Sequence, residues 1–198
     1  MRTVPEPRSR VFPARPGQAA VLIAAFTGVL YLSEAVDTML GNQMDRAGIQ
    51  PRTIDGLDGV LWAPLLHDGW QHLVANTVPV LVLGFLVLAN GIRQFVAVTA
   101  VIWLVGGAGT WLTAWGGTHI GASILVFGWM VFLLARAFYH RSAGQITLAV
   151  TLFLVWGGML WGVLPTTPGV SWQGHLFGAL GGLLAARLVS GADRSPVR

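Results

Sequence analysis

Six long apolar segments dominate this chain and decide what it can fold into. A helix needs about 20 mainly apolar residues to cross the hydrocarbon core of a bilayer. Segments of this kind lie at 19–36, 72–90, 95–115, 121–138, 146–164 and 172–189. The sequence therefore predicts an all-α, polytopic membrane protein with six transmembrane helices and one long outer connection after the first helix.

The composition supports this class and excludes others. Hydrophobic residues make up 54% of the chain and charged residues only 10%, whereas about a quarter of a soluble domain is charged. There is no cysteine, which excludes disulfides, thiolate metal sites and a cysteine nucleophile. All 12 basic residues are arginines. They are scattered at helix ends rather than clustered, so the net charge of +4 does not indicate nucleic-acid binding.

The placement of the arginines predicts the orientation in the membrane. Basic residues accumulate on the cytoplasmic side of a polytopic protein. With six helices, the side that holds both termini also holds Arg2, Arg8, Arg10, Arg15, Arg93, Arg136, Arg141, Arg187, Arg194 and Arg198. The opposite side holds only Arg46 and Arg52. We therefore expect a protein of the bacterial plasma membrane with both termini in the cytoplasm.

The sequence divides into a membrane domain and two tails. Residues 1–17 are rich in Arg and Pro and predict a disordered cytoplasmic tail, 18–190 form the membrane domain, and 191–198 form a short cytoplasmic tail. Arginines before the first helix also suit a signal peptide. That helix is long for such a segment and lacks a clear cleavage site, so a retained helix is favoured. The apolar run 60–66 is too short to span, and we expect it in the interface or re-entering the bilayer.

Four polar residues lie near the outer ends of three different helices. His72 and Asn76 begin the second predicted helix, Ser123 the fourth and His175 the sixth. At about 1.5 Å per residue, all four lie within roughly 10 Å of the outer ends of their helices. Polar side chains inside membrane helices are costly and usually face a cavity or each other. The sequence therefore predicts that these residues meet.

The chemistry that suits this set is acyl transfer. A serine hydroxyl needs a base within hydrogen-bond reach to act as a nucleophile, and His175 is the candidate base for Ser123 and the later acid for the leaving amine. His72 and Asn76 are four residues apart on one helix face and can donate hydrogen bonds to an oxyanion. Phe127 lies one turn after Ser123 and is expected to pack against the imidazole.

Three motifs, in order along the chain, resemble those of the rhomboid intramembrane serine proteases. The resemblance covers the six-helix core, about residues 19–189. The motifs are His67-x4-His72-x3-Asn76, Gly121-Ala122-Ser123 and His175-x2-Gly178-x3-Gly182.

The resemblance implies a rhomboid-like bundle and a role for each matched residue. Ser123 and His175 would form a dyad without an aspartate, while His72 and Asn76 would serve the oxyanion hole. Gly178 and Gly182 would let the sixth helix approach the fourth. The implied activity is cleavage of a single-spanning membrane protein within the lipid bilayer. This activity needs no cofactor. The resemblance does not indicate the oligomeric state.

The sequence departs from the family pattern beside the nucleophile and in the first loop. Ile124 stands where the family usually has glycine, and Phe127 stands where it often has tyrosine. The Trp-Arg pair common in the family's first loop is absent, and the corresponding stretch reads Leu57-Asp58-Gly59-Val60. These departures bear on substrate preference and loop packing.

Other interpretations of the same residues stay open. The chain could be an inactive rhomboid-like protein that binds membrane segments, or a small transporter or channel. His67 could orient the first loop, bind at the edge of the site or lie in the interface. His119 is expected to be solvated, and His140 to mark the cytoplasmic side. No metal site is expected, because the histidines near the site are not joined by carboxylates at ligand spacing.

Overall fold

The described part of the chain is an α-helical bundle. The structure is a computed structural model that describes residues 10–194, with side chains described through Ser190. Within these residues there is no strand. The α-helices are α1 (Pro16–Met39), α2 (Gly59–Trp62), α3 (Gly69–Val87), α4 (Ile92–Thr113), α5 (Ser123–His140), α6 (Ala143–Trp156) and α7 (Trp172–Arg194). The prediction of an all-α polytopic protein is confirmed, with boundaries displaced by a few residues.

Five of these helices are long and apolar enough to cross a membrane among the described residues. They are α1, α3 extended to Asn90, α4, α5 and α6 extended to Val163. The sixth predicted span is α7, whose 23 residues give a length of about 35 Å. Gln173, His175 and Arg187 make α7 less apolar than the other five. It packs against α4 and α5, so other helices shield much of its surface from lipid.

The predicted tails lie partly outside the described residues, because 1–9 and 195–198 are not described. Within the predicted 1–17 tail, α1 already begins at Pro16. The Arg10 N–H donates to Asn90 at 3.1 Å and the Arg10 carbonyl accepts from Gln145 at 3.0 Å. At the other end, α7 continues to Arg194, into the predicted 191–198 tail. Arg10 therefore lies against the ends of helices α3 and α6.

Helix α5 forms the centre of the bundle. Within its most apolar window 61% of the residues are buried inside the protein, against 11% for α6. Large apolar side chains from α5 fill the core, among them Trp129, Phe132 and Leu133. The Trp129 indole N–H donates to Thr99 Oγ1 of α4 at 3.1 Å. The helix that begins at Ser123 is therefore held on several sides, whereas α6 lies at the periphery.

Glycines bring α7 into direct backbone contact with α5. A Cβ on Gly178 would collide with the carbonyl oxygen of Ile124, and a Cβ on Gly182 would collide with that of Gly128. Small residues at helix interfaces allow this close approach in membranes, where packing rather than the hydrophobic effect drives association. The contact brings the first turn of α7 beside the first turn of α5.

The long connection after α1 packs onto the bundle instead of lying apart from it. It contains the short helix α2 and the 3₁₀ turns Met44–Ala47 and Ala63–Leu65. The indole of Trp103 on α4 donates to the Val60 carbonyl at 2.8 Å, and a Cβ on Gly107 would lie 2.7 Å from the Val60 side chain. The run predicted to be interfacial or re-entrant is therefore anchored to α4.

We expect the stability of the fold to depend on pH through Asp45, which lies in this connection. Burial, followed by the nearby Asp37 and Asp68, raises the pKa of Asp45 to about 6. A raised pKa means that ionised Asp45 disfavours the folded state, so stability declines as pH rises from about 4 through 6. We expect the melting temperature of Asp45→Asn to exceed that of wild type increasingly over this range. Parallel curves would contradict this, and Asp55→Asn, at an exposed position of the same connection, is the control.

Candidate active site

The turn before α5 fixes Ser123 at the first position of that helix. Gly121 has φ +126°, a conformation that residues with a side chain rarely adopt. Its N–H donates to the Ala63 carbonyl at 2.8 Å, and the next N–H, of Ala122, donates to His67 Nε2 at 3.3 Å. Backbone donors in the first turn of a helix lack acceptors within the helix. The Ser123 N–H therefore lies beside its own hydroxyl as a donor for a developing anion.

Ser123 and His175 are in direct contact. Ser123 Oγ and His175 Nε2 lie 3.0 Å apart, although 52 residues separate them in sequence. His175 Nδ1 lies 2.9 Å from the carbonyl oxygen of Gly162. Because a carbonyl only accepts hydrogen bonds, Nδ1 must carry the proton, and Nε2 then presents its lone pair to the serine hydroxyl. This is the tautomer that a general base requires.

Phe127 and Gly162 hold the imidazole of His175 in place. The ring of Phe127 is stacked on it, with centroids 4.0 Å apart and planes at 8°. A Cβ on Gly162 would lie 2.9 Å from Phe127 and 3.2 Å from His175 Nδ1. The predicted Phe127 contact is therefore present. Gly162 was not among the predicted site residues, because it contributes only a backbone carbonyl and the space left by its missing side chain.

His72 and Asn76 lie on one face of α3 and face the same cavity as Ser123. The Asn76 amide donates to the His72 carbonyl at 3.0 Å, which leaves its second N–H free to serve another acceptor. His72 Nδ1 accepts from the Asp68 N–H at 3.4 Å, so its Nε2 is the protonated nitrogen. A Cβ on Gly121 would lie 2.9 Å from His72 Nε2 and 3.5 Å from Ser123 Oγ. A side chain at position 121 would therefore separate His72 from the serine.

His67 is buried behind this site. It is 1% exposed, and its ring lies 5.2 Å from that of His72 at an angle of 69°. Burial, and secondarily His72, lowers the pKa of His67 to about 4, so the ring is neutral at physiological pH. Through its bond to the Ala122 N–H it supports the turn before Ser123. Of the three roles considered from sequence, orienting this region fits the geometry.

A cavity of about 1180 Å³ brings these groups together. Its walls include Ser123, His175, His72 and Asn76. Apolar residues of α3, of α6 and of the 3₁₀ segment Gly157–Val163 also line it, among them Ala75, Val78, Trp156 and Met159, and the loops before α5 and α7 line the rest. Cavities of several hundred cubic ångströms suffice for a small ligand, so an extended peptide segment of a few residues fits here.

The side chain of Ile124 points away from this cavity. Ile124 is 3% exposed and is not among the residues that line the cavity. A Cβ on Gly106 would collide with its Cγ2, and one on Gly174 would lie 3.2 Å from its Cγ1. The branched residue after the serine therefore fills the contact between α4, α5 and α7. It does not narrow the space in front of Ser123.

The expectation that His119 is solvated is wrong. His119 is half-buried, and its Nδ1 lies 2.7 Å from Ser171 Oγ. Its backbone forms an antiparallel bridge with Ile49. Burial lowers the pKa of His119, and the Gly116 carbonyl partly opposes this.

Among the described residues, no group of three His, Asp or Glu side chains could hold a metal ion.

The fold and the site define a polytopic helical membrane protein with a paired serine and histidine at one end of its bundle. Residues 57–192 match the Rhomboid domain family. The chain is 47% identical over 181 residues to an uncharacterized protein of Mycobacterium tuberculosis H37Rv, covering 87% of this chain and 75% of the relative. An uncharacterized protein of Mycobacterium leprae is 45% identical over 183 residues, with coverages of 88% and 72%.

The chain therefore belongs to the rhomboid family, and it is an integral membrane protein. This confirms the family suggested by the three sequence motifs. The matched range contains all of these motifs, from His67 to Gly182.

Proposed function

We propose that this protein is an intramembrane serine endopeptidase with Ser123 as nucleophile and His175 as base. The observation that carries the proposal is the 3.0 Å contact between Ser123 Oγ and His175 Nε2, combined with the Nδ1 contact to Gly162. Together they give a serine hydroxyl with an acceptor nitrogen in the required tautomer. The pair faces a cavity large enough for a peptide.

In the acylation step, Ser123 Oγ attacks the carbonyl carbon of the scissile peptide bond and its proton passes to His175 Nε2. The carbonyl π electrons move to oxygen, and the oxyanion accepts hydrogen bonds from His72 Nε2, Asn76 Nδ2 and the Ser123 N–H. When the intermediate collapses, the C–N bond breaks and His175 protonates the leaving amine. A water molecule then attacks the acyl carbon while His175 Nε2 takes its proton. When the ester C–O bond breaks, His175 returns that proton to Ser123 Oγ and the new carboxyl end is released.

The Gly162 carbonyl orients His175 in the way that the aspartate carboxylate orients the histidine of a Ser-His-Asp triad. It accepts from His175 Nδ1 at 2.9 Å and so stabilises the imidazolium that forms during attack. A carbonyl carries only a partial negative charge, so this stabilisation is weaker than that of an aspartate. The Phe127 ring, stacked on the imidazole with centroids 4.0 Å apart, restricts rotation of the His175 side chain. It thereby helps to hold the orientation that an aspartate would otherwise fix.

The apolar surroundings indicate a membrane segment as substrate. A second groove of about 650 Å³ runs between α1, α3 and α6 and is almost entirely apolar in its lining residues. Trp156 lines both this groove and the cavity at Ser123. We infer that a single-spanning substrate packs against this groove and places the residues to be cleaved in the cavity at Ser123. Its scissile carbonyl must leave its own helix, because an α-helix occupies that oxygen with an internal hydrogen bond.

Proteolysis by the purified protein tests this function against that of an inactive relative. The protein is reconstituted into liposomes with a panel of tagged single-spanning segments, and products are identified by mass spectrometry. We expect cleavage in or near the membrane segment by wild type. Binding without cleavage across the panel, by protein that retains its wild-type fold, would favour the inactive relative and contradict the proposal.

Truncation of Asn76 tests the oxyanion assignment. Loss of one oxyanion donor costs about 10²–10³-fold in kcat, so Asn76→Ala is expected to lower kcat by that factor with little change in KM. Gln71→Ala removes an exposed amide from the same helix and is expected to match wild type. An Asn76→Ala effect confined to KM would show that Asn76 binds substrate instead.

A further inference from the structure

We propose that His119 is a positioning residue for the Ser123–His175 pair, acting through its hydrogen bond to Ser171. This inference rests on the proposed function, since it concerns the geometry of that dyad. The bond joins the segment that leads into α5 to the residue that precedes α7. His119 Nδ1 and Ser171 Oγ lie 2.7 Å apart. Neither residue was a candidate from the sequence.

On the serine side, His119 is part of a fixed segment. Its N–H donates to the Ile49 carbonyl at 2.9 Å, and its carbonyl accepts from the Ile49 N–H at 3.0 Å. Ile49 is itself fully buried. Two residues later, the Gly121 N–H is bound to the Ala63 carbonyl. The His119 ring therefore projects from a backbone that the first connection anchors, four residues ahead of Ser123.

On the histidine side, Ser171 stands one helical turn before the base. Its carbonyl accepts the N–H of His175 at 3.2 Å, and α7 begins at the next residue, Trp172. Gly174 packs against the same hydroxyl, because a Cβ there would lie 3.1 Å from Ser171 Oγ. A displacement of Ser171 would therefore move the first turn of α7 and His175 with it.

The dyad lies between two attachments of α7. The first is the contact of Gly178 with the Ile124 carbonyl, on the far side of His175 from the helix start. The second is the His119–Ser171 bond, at the near side. Gly174 also packs against Ile124 in the first turn of α7, and the hydrogen bond adds a polar attachment there. We infer that this bond fixes the first turn of α7 and, with it, the distance between Ser123 Oγ and His175 Nε2.

Kinetics of matched variants test the assignment. Misplacement of reacting groups by about 1 Å can cost about 10²-fold in rate, so His119→Ala and Ser171→Ala are each expected to lower kcat about 10- to 100-fold, with KM within about twofold. The rate of fluorophosphonate labelling at Ser123 should fall in parallel. The double variant should be no slower than the worse single variant, because both remove the same bond.

Conservative replacements separate positioning from general stabilisation. Asn at 119 places an amide near the position of Nδ1, and Thr at 171 keeps the hydroxyl, so His119→Asn and Ser171→Thr should recover most of the lost kcat. His140→Ala removes a histidine from the opposite end of α5 and should leave kcat unchanged. Melting temperatures measured alongside identify any variant that fails to fold, and Ser171→Ala, the smallest change, then decides.

Several results would overturn the inference while leaving the proposed function intact. One is full activity of His119→Ala or Ser171→Ala when Ser123→Ala is inactive. Another is a rise in KM at constant kcat, which would make His119 a substrate contact. A third is a wild-type kcat for His119→Ala and Ser171→Ala when they are assayed at a temperature at which both variants are fully folded. By contrast, failure of wild type both to cleave and to label would reject the proposed function itself.

Discussion

Replacing Ser123 by alanine is expected to reduce peptide-bond cleavage by about 10⁴-fold or more. The nucleophile and its base act as a unit, so His175→Ala should be about as damaging, and the double variant little worse than either alone. The physical reason is the 3.0 Å contact through which the serine proton leaves. The measurement is the initial rate of substrate cleavage in liposomes at saturating substrate.

The control is Ser33→Ala, which removes a half-buried hydroxyl from α1. It should cleave at the wild-type rate. Activity of Ser123→Ala within about tenfold of wild type would show that another group attacks the substrate, and the account of the site would be wrong. Loss of activity in Ser123→Ala with retention in His175→Ala would keep the nucleophile but remove His175 as its base.

A methyl group on Gly178 is expected to lower both the stability of the fold and the rate of cleavage. The added Cβ of Gly178→Ala would collide with the carbonyl oxygen of Ile124, a backbone atom that no rotamer change can move. Overpacking of this kind costs about 1–3 kcal/mol. Separation of α7 from α5 would also pull His175 away from Ser123, so we expect at least about a 100-fold loss of kcat. Cleavage rate and melting temperature are measured together.

Gly28 provides the matched control for this variant. It is also a glycine inside a long apolar helix, α1, but a Cβ there meets nothing within 4 Å. Gly28→Ala should therefore leave both cleavage and melting temperature close to wild type, or raise stability slightly because alanine favours helix. Equal losses in the two variants would mean that the α5–α7 contact has no special role in assembling the site.

The helices and the main polar residues were predictable because each carries its own signal. Apolar runs of about 20 residues mark the spans, and Ser123 and His175 stand out as polar residues in apolar helices. The less apolar α7 shows the limit of hydropathy, since contacts with α4 and α5 replace part of its contact with lipid. After α6 the chain continues as the 3₁₀ segment Gly157–Val163. The three glycines of this apolar segment are only a weak signal for that change, so the sequence did not predict it.

The supporting contacts were not predictable, for a different reason. The bond of His175 Nδ1 goes to the Gly162 carbonyl, and every residue has such a carbonyl. The bond between His119 and Ser171 joins two loops 52 residues apart, so only the folded backbone brings them together. Ile124 shows the converse. Its place where the family usually has glycine made it a candidate determinant of substrate preference, but the helix turns its side chain into the contact between α4 and α7.

The most direct test of the account is covalent labelling of the nucleophile. The purified protein is treated in liposomes with an active-site-directed fluorophosphonate, and the modified residue is located by mass spectrometry of its peptides. We predict one adduct, on Ser123, that forms far more slowly in His175→Ala and is absent in Ser123→Ala. Equal labelling of Ser123→Ala and wild type, or an adduct on another residue, would contradict it.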